Sequence, residues 1–375
     1  MKRIIVLTGV ITLLFSVLCP GQGCVAIRGG TSCSGNFGNS QNLHQGEFNT
    51  QLGFRHFKSF RHFRGDVEEI NRVLEGTEVI NRSNFIDVGI NYGLSDRFFL
   101  SLLLPYVSHT RSSMYEHGGN PPNGLGDRHV TSSNGLADIR LGAGYWLFDP
   151  ARHNFNYALG LGVKLPTGRF DYTDTFYNQG PNKDQEVDKV VDQSIQPGDG
   201  GIGIALEVQG YHPLSHSIGL STNVYYLFNF QETNGVSTAN GNSTFSCPDQ
   251  FALRIGGFYN TRSGFSTFLG GRLEGVPAND VLGGSAGYRR PGYAYSVEPG
   301  VGFSKNKFSF FASCPLAVYR NRTQSYEDKA RTTQTGVYRH GDAAFADYLV
   351  SLVFSYRFGK AGHQEMGPTI LPLNH

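Results

Sequence analysis

The sequence lacks the long apolar runs that form membrane-spanning helices. The apolar run at 4–18 is shorter than the roughly 20 apolar residues that a spanning helix needs, and no later run approaches that length. Charged residues are also few, at 17%. The net charge of +2 argues against a strong attraction to nucleic acid or to acidic surfaces. We therefore expect neither a helical membrane protein nor a nucleic-acid partner.

Cysteine is scarce as well, with 5 in the chain. Cys19 falls in the apolar leader, whereas Cys24 and Cys33 lie close enough in sequence to pair in an oxidising compartment. Cys247 and Cys314 are far apart, and no spacing resembles a CxxC metal or redox site. We therefore predict no metal and no cofactor. Lipidation at Cys19 or Cys24, and a disulfide between Cys24 and Cys33, both stay open.

Glycine and aromatic residues are abundant instead. There are 49 Gly, and aromatic residues make up 13% of the chain. Membrane barrels use Gly where the wall bends and aromatic residues at the two membrane interfaces. The mean hydropathy of −0.28 resembles that of a soluble protein, but a membrane strand needs only every second residue to be apolar. The composition therefore favours one repetitive all-β unit.

The N-terminus has the order of a secretory signal. Lys2 and Arg3 precede the apolar run, and small residues follow at 20–23. This pattern is typical of a signal peptide. An exported protein without a membrane helix is periplasmic, secreted or an outer-membrane barrel, so the strands decide between these classes.

Residues 135–168 read as two strands joined by a short turn. On the first strand Ile139, Leu141 and Tyr145 alternate with Arg140 and Gly142, and this period of two gives one apolar and one polar face. Soluble strands usually have about five or six residues. These strands have about a dozen, and a tilted strand crosses a bilayer with about nine to eleven. Charges on the polar face indicate a wet barrel interior.

The same alternation recurs along the chain. Twelve strands are predicted at 47–63, 79–94, 97–111, 135–147, 155–165, 196–211, 218–230, 251–260, 265–274, 293–304, 307–320 and 343–358. Short and long connections alternate, as in bacterial outer-membrane barrels with periplasmic turns and external loops. We therefore predict an all-β, transmembrane, antiparallel up-and-down β-barrel of about 12 strands, in the outer membrane of a Gram-negative bacterium. Both termini would be periplasmic.

The predicted organisation has four parts: a signal peptide at 1–23, a periplasmic N-terminal segment at 24–45, the outer-membrane barrel at 46–358 and a periplasmic tail at 359–375. The last strand ends on Phe358, as strands that the outer-membrane assembly machinery recognises commonly do. The expected partners are this machinery, the lipid bilayer and a small-molecule solute.

Ten charged residues fall on the inward side by parity: Asp87, Asp138, Arg140, Lys164, Glu207, Arg254, Arg272, Glu274, Glu298 and Arg357. In one interpretation they line a permeation path and set its charge preference. In the other they pair across the lumen and brace a narrow barrel, an interpretation that their balanced signs favour. A one-residue bulge would reverse the parity of any strand.

Other chemistry is not expected. The histidines lie near strand ends or in loops without an acidic partner at ligand spacing, and the acidic loop 184–192 lacks a regular Ca²⁺ pattern. A barrel-embedded lipid hydrolase needs a hydroxyl and an imidazole side by side on the lipid-facing wall. His212 and Ser215 are close in sequence, but they fall at the periplasmic end. We therefore predict no enzyme.

Two short motifs carry a family resemblance. Gly135-Leu136-Ala137-Asp138 opens one predicted strand, Lys164-Leu165-Pro166-Thr167-Gly168 closes the next, and a Gly-rich run follows at 197–214. This pattern resembles the meta-pathway phenol-degradation outer-membrane family. At motif level it covers 135–211, whereas 24–33 and 359–375 lie outside it. The resemblance implies a barrel that carries small, often aromatic, molecules inward, with no catalytic residues to transfer.

Two functions follow. The first is a channel or transporter for small hydrophobic or aromatic solutes. The second is a structural or surface-interaction barrel with a plugged lumen, whose long loops at 112–134 and 171–195 bind partners. The aromatic-rich strands and the resemblance favour transport. The sequence does not identify the solute, an open lumen or the oligomeric state.

Overall fold

A computed structural model describes residues 42–359 and the pair Gln22–Gly23. The remainder of the predicted signal peptide, residues 24–41 of the predicted N-terminal segment and the tail beyond 359 lie outside the described residues. Cys19, Cys24 and Cys33, for which lipidation and disulfide pairing were left open, therefore lie outside them too. Cys247 and Cys314 are free thiols.

In chain order the strands are β1 (Gln22–Gly23), β2 (Glu47–Arg64), β3 (Val67–Glu68), β4 (Ile80–Gly93), β5 (Phe98–Ser113), β6 (His129–Leu136), β7 (Arg140–Trp146), β8 (Asn156–Lys164), β9 (Thr173–Gln179), β10 (Gln185–Val190), β11 (Gly203–Pro213), β12 (Ile218–Asn229), β13 (Thr233–Ser237), β14 (Thr244–Ser246), β15 (Gln250–Asn260), β16 (Phe265–Val276), β17 (Gly292–Lys305), β18 (Phe308–Ser313), β19 (Leu316–Asn321) and β20 (Ala343–Gly359). The helices are α1 (Ile70–Leu74), α2 (Tyr326–Thr335) and a 3₁₀ turn at Gln193–Ile195.

The main sheet closes on itself as an antiparallel barrel. Consecutive barrel strands pair along the chain, and β2 pairs with β20 from Glu47↔Gly359 to Phe63↔Ala343. Two barrel strands are each built from two pieces, β6 with β7 and β18 with β19, so the wall has 12 strands. The predicted 12-stranded up-and-down barrel is confirmed. Closure leaves the wall with no exposed sheet edge.

Alternation sets which face each strand presents. On β20 Tyr348 and Phe354 are exposed on the outer wall, whereas Ser351 and Ser355 are buried inside. The outer wall is therefore apolar and the inner wall polar, the reverse of a soluble barrel. Among the described residues, no helix combines the length and the apolar character that crossing a membrane requires.

The two ends of the barrel differ. Connections at 94–97, 214–217 and 306–307 are short, and they define the short-turn end, where β2 begins and β20 finishes. The long-loop end carries the β9–β10 and β13–β14 hairpins and both α-helices. Helix α2 begins at a capping box formed by Ser325 and Asp328 and ends at Gly336, whose φ is 67°. Because a left-handed residue is least strained as Gly, this position ends the helix sharply.

The fourth strand departs from the prediction. Residues 129–134, assigned by sequence to a polar loop, form β6 together with 135–136 and pair with β5. The chain then leaves the ladder at 137–139 before β7 begins, and we call this interruption the strand break. Thr167 fills it, because its hydroxyl accepts from Ile139 N at 2.9 Å and donates to Ala137 O at 3.0 Å.

The bounds of two further strands differ from the prediction. The sixth strand begins at Gly203, not at 196, because Gly198 and Asp199 turn toward the strand break, where their backbone N–H groups bond Arg169 O and Asp138. The eleventh strand is interrupted at Cys314-Pro315. Proline has no N–H to donate to a ladder, so the interruption falls where the sequence removes a donor.

The barrel interior is partly filled. Phe57, Phe85, Val107 and Leu349 form a buried apolar cluster with two alanines. These side chains project from β2, β4, β5 and β20 into the long-loop half of the lumen. This half of the barrel is therefore packed, and open space is left toward the short-turn end.

Candidate functional site: the barrel lumen

A cavity of about 110 Å³ lies inside the barrel, between the walls formed by β2, β4, β5, β7, β8, β11 and β12. Its lining combines aromatic rings, amides and charges. The side chains that matter most for its chemistry are Asn49, Gln51, Phe99, Arg140, Glu207 and Tyr225. Apolar and aromatic groups with a few polar groups among them are the usual lining of a small-molecule site.

Arg140 and Glu207 give the cavity a cation and an anion. Arg140 Cζ lies 5.0 Å from the centroid of the Tyr225 ring, a distance at which a guanidinium is attracted to an aromatic face. Glu207 and Tyr225 are register partners on β11 and β12. Gly160 leaves room for the carboxylate, because a Cβ there would lie 3.1 Å from Glu207 Cβ. The cavity therefore presents a donor and an acceptor beside an aromatic ring.

The chain entering β2 lies across the short-turn end of the cavity. Asn42 Nδ2 donates to Tyr211 Oη at 3.1 Å, and Arg357 Nη2 donates to Asn42 O at 2.9 Å. Leu43 is buried and lines the cavity. Arg357 also lies 3.7 Å from the Glu47 carboxylate. These contacts close the cavity floor.

The predicted inward charges are mostly paired. Five ion pairs include eight of them: Arg55–Asp87, Arg254–Glu298, Arg272–Glu274, Lys164–Asp138 and Arg357–Glu47. Arg140 and Glu207 are the two that line the cavity. The geometry thus divides the set into bracing pairs and a cavity pair.

The braces are held tightly. Arg55 Nε lies 2.7 Å from Asp87 Oδ2, and Arg254 Nε lies 2.8 Å from Glu298 Oε2. Glu298 also accepts from the Ser313 hydroxyl at 2.7 Å. Each carboxylate is buried. A buried charge is tolerated only when it is paired and hydrogen-bonded, and these residues satisfy that requirement across strands.

Lys164 joins the two motifs singled out in the sequence. Its side chain is buried, with Nζ 3.7 Å from Asp138 Oδ2 and in contact with Asp199. Asp138 itself lies in the strand break, and it accepts from Gly168 N at 3.0 Å and from Asp199 N at 3.2 Å. We call Asp138, Lys164 and Asp199 the wall knot. It ties the loop after β8 to the strand break.

Two glycines allow the wall knot to close. A Cβ on Gly198 would lie 2.4 Å from Gly168 O and 2.7 Å from Asp138 Oδ1, and a Cβ on Gly168 would lie 2.8 Å from Gly198 Cα. Only Gly fits at both positions without displacing backbone. Asp199 was not among the predicted site residues, although it lies in the Gly-rich run that carries the resemblance.

A second buried network closes the long-loop end. Arg290 binds Asp192 through contacts of 2.8 and 2.6 Å. Arg111 donates to Glu116 at 2.9 Å and lies 3.6 Å from Asp192. Burial would raise the pKa of Asp192, but Arg111 and Arg290 outweigh it and hold that pKa well below its usual range. Burial raises the pKa of Glu116 despite its contact with Arg111.

These contacts join three loops that are distant in sequence, so no local pattern signals them. The acidic loop 184–192 has no regular Ca²⁺ pattern in the sequence, and in the structure its last residue, Asp192, lies in this network. Among the residues that the structure describes, no group of three or more His, Cys, Asp or Glu is placed to hold a metal ion.

Histidine and aromatic side chains pack above this network. His117 is buried, and its Nδ1 accepts from Tyr177 N at 3.1 Å. Its ring lies 5.4 Å from Phe176 and 5.3 Å from His129, which stacks on Tyr177 at 4.5 Å. Burial, and then His129, lower the pKa of His117 to about 4. Because the neutral form of His117 is favoured, the cluster joins these loops through packing of its rings and not through charge.

Comparison with known proteins identifies the fold. No family model and no curated protein matches the chain. Among solved structures, the COG4313 outer membrane channel from Pseudomonas putida F1 is similar over 84% of this chain and 97% of that chain, with 11% identity and a TM-score of 0.55. A Pseudomonas aeruginosa FadL homologue is similar over 91% of this chain and 98% of that chain, with 9% identity and a TM-score of 0.42. The barrel fold is that of Gram-negative outer-membrane proteins.

Proposed function

We propose that this barrel is an outer-membrane channel for small hydrophobic or aromatic solutes, with no enzymatic activity. The observation that carries the proposal is the lumen cavity of about 110 Å³, whose lining has aromatic rings beside the side chains of Arg140 and Glu207. An engineered apolar cavity of about 150 Å³ binds benzene. The lumen chamber therefore suits one ring-sized solute at a time.

The polar pair suits a phenolic solute. The Arg140 guanidinium can donate to a hydroxyl oxygen, the Glu207 carboxylate can accept its proton, and the solute ring can pack on Phe99 or Tyr225. The motif resemblance to the phenol-degradation family supports the same solute class. The solved structure with the same fold is itself described as an outer membrane channel.

Closure at both ends argues against a general porin. The short-turn end is covered by Asn42 and Leu43, and the long-loop end by the pairs of Asp192 with Arg290 and Arg111. A wide porin keeps an aqueous path, whereas these contacts enclose a chamber. Solute passage then requires one end to rearrange at a time.

We further propose an orientation. The predicted signal peptide directs export, the assembly machinery inserts the barrel, and the short-turn end with both termini faces the periplasm. The long loops then face outward. The alternation of short and long connections supports this orientation.

The proposal is tested by flux into liposomes containing the refolded protein. Phenol is expected to enter at least tenfold faster than glucose. Arg140→Met and Glu207→Gln should each reduce phenol flux about fivefold, the loss of roughly one hydrogen bond. Arg152→Met is the matched control, because its side chain is 81% exposed at a short turn, and its flux should not change.

Two outcomes contradict the proposal. Equal and fast entry of phenol and glucose indicates a general porin. The absence of flux for both, in protein shown to be folded by its gel shift on boiling, favours the alternative of a structural or surface-interaction barrel. The buried ion pairs between nearby strands on the inner wall are the observation in favour of that alternative.

A further inference from the structure

The outer wall of β2 and β4 carries two cations above the apolar band. On β2 Leu52 and Phe54 are exposed while Arg55 is buried, so the even-numbered residues face outward and Lys58 is among them. On β4 the same alternation exposes Ile86, and it places Arg82 on the outer face. Both cations therefore project from the membrane-facing wall, not into the lumen.

The register brings these cations together. Lys58 and Arg82 are cross-strand partners, with His56 opposite Asn84 and Arg82 opposite Thr110 on β5. Directly opposed residues have Cβ atoms about 4.5–5.5 Å apart, and like charges at that distance repel. We call these five residues the basic wall patch. A wall that places two cations side by side gains stability when an anion lies between them.

No carboxylate in the described part of the chain neutralises the pair. Neither Lys58 nor Arg82 forms an ion pair there, and Lys58 Nζ lies over the Phe60 ring at 4.5 Å. The carboxylates of Glu68 on β3 and Asp347 on β20 are both bound by Arg61. Within residues 42–359 no carboxylate supplies the neutralising charge, which leaves the pair open to an anion from the surroundings.

The height of the patch places it among lipid headgroups. Lys58 is four residues beyond Phe54, and Arg82 is four residues beyond Ile86, the register partner of exposed Tyr106. Four residues span about 13 Å along a strand and about 10 Å along the membrane normal at a typical tilt. Because Phe54 and Ile86 belong to the apolar band and each headgroup layer is about 5–8 Å deep, a rise of this size carries both cations from the band into the headgroup layer.

We propose that the basic wall patch binds the phosphate groups of a phosphorylated glycolipid in the outer leaflet. Lys58 and Arg82 supply two charges for a phosphate dianion, and Arg presents a planar fork that matches phosphate geometry. Asn84 and Thr110 add polar groups, and exposed Leu52 and Phe54 contact acyl chains below. The assignment rests on the proposed orientation, because that orientation places the long-loop end in the outer leaflet.

The test uses the refolded full chain in detergent micelles and measures binding of diphosphorylated lipid A. Lys58→Gln and Arg82→Gln should each weaken binding about fivefold, and the double variant about 25-fold, as expected for one basic residue at an anionic surface. Lys305→Gln and Lys307→Gln, exposed at a short turn, should leave it unchanged. The gel shift on boiling confirms folding for every variant.

Three results overturn the assignment: unchanged binding by the double variant, equal binding of lipid A whose phosphates have been removed, and binding of phosphatidylglycerol as tight as that of lipid A. The last result indicates an inner-leaflet site and the opposite orientation. Because lipid binding is measured without solute, failure here is separate from failure of the phenol-flux test.

Discussion

At the scale of single residues, Lys164 illustrates how one buried charge holds two chain segments. Its side chain is 2% exposed, between carboxylates of Asp138 and Asp199 that are 10% and 13% exposed. Lys164→Met keeps the volume but leaves two buried carboxylates without a cation. We expect a loss of about 3–5 kcal/mol in the free energy of unfolding, as for a broken buried ion pair, measured by guanidinium unfolding in micelles.

The control for this variant is Lys329→Met. Lys329 is exposed on α2, and Lys and Met have similar helix propensities, so its unfolding free energy should change by less than about 0.5 kcal/mol. Equal stability of the two variants would show that Lys164 contributes no net stabilisation. A second variant, Asp199→Asn, should be milder than Lys164→Met because it leaves the Asp138–Lys164 pair in place.

Residue identity and parity located these charges, but not their partners. The sequence predicts Asp87 and Lys164 as inward-facing because alternation of period two is local. The division into braces and a cavity pair depends on register across strands, which the sequence does not specify. Arg55 was not among the predicted charges, although it forms the shortest contact to Asp87. Aromatic residues occur on both faces of β2, so the sequence does not show clearly that Arg55 faces inward.

At the scale of elements, the strand break depends on glycine packing. Gly198→Ala should push a methyl group into Gly168 O, at 2.4 Å, and separate the loop after β8 from the strand break. Overpacking of this kind typically costs about 1–3 kcal/mol. We expect faster proteolysis within 165–202 while the barrel stays folded, measured by limited digestion and the gel shift on boiling.

The matched control is Gly271→Ala in β16, where no atom lies within 4 Å of the added Cβ. Its digestion pattern should equal that of the unchanged protein. If Gly198→Ala digests no faster than Gly271→Ala, the wall knot does not depend on the close glycine contact, and the loop is held by other bonds such as that from Ile139 N to the Thr167 hydroxyl.

Elements are predictable where alternation is long and regular. The final strand was predicted at 343–358 and found at Ala343–Gly359, because its outer face is apolar at every second position. The first part of β6, residues 129–134, was missed, since Val130 and Leu136 flank a Ser-rich stretch that resembles a loop. Small residues fit on a strand whose inner face meets a crowded lumen, but they do not produce the apolar and polar alternation by which a strand is predicted.

At the scale of the whole molecule, closure at the long-loop end has two layers with different pH responses. The Asp192–Arg290 contact persists on acidification, because the pKa of Asp192 lies well below its usual range. The contacts of the His117 layer do not persist, because the pKa of His117 is about 4 in the folded chain and 6.5 for a free side chain. Neutral His117 therefore contributes stability that is present above pH 6.5 and lost as pH falls toward 4.

Acidification should thus loosen the outer layer first. Between pH 6.5 and 4 the β9–β10 hairpin is expected to separate from residues 114–128, with up to about tenfold more opening for each pH unit. Hydrogen exchange of the Tyr177 amide, which donates to His117 Nδ1, measures this directly after correction for intrinsic exchange. His117→Phe keeps an aromatic ring and cannot titrate, so its exchange should lack the pH dependence. Exchange that stays constant in the unchanged protein across this range would show that His117 is not the group that fastens the layer, and the Asp192 network would then account for the whole closure.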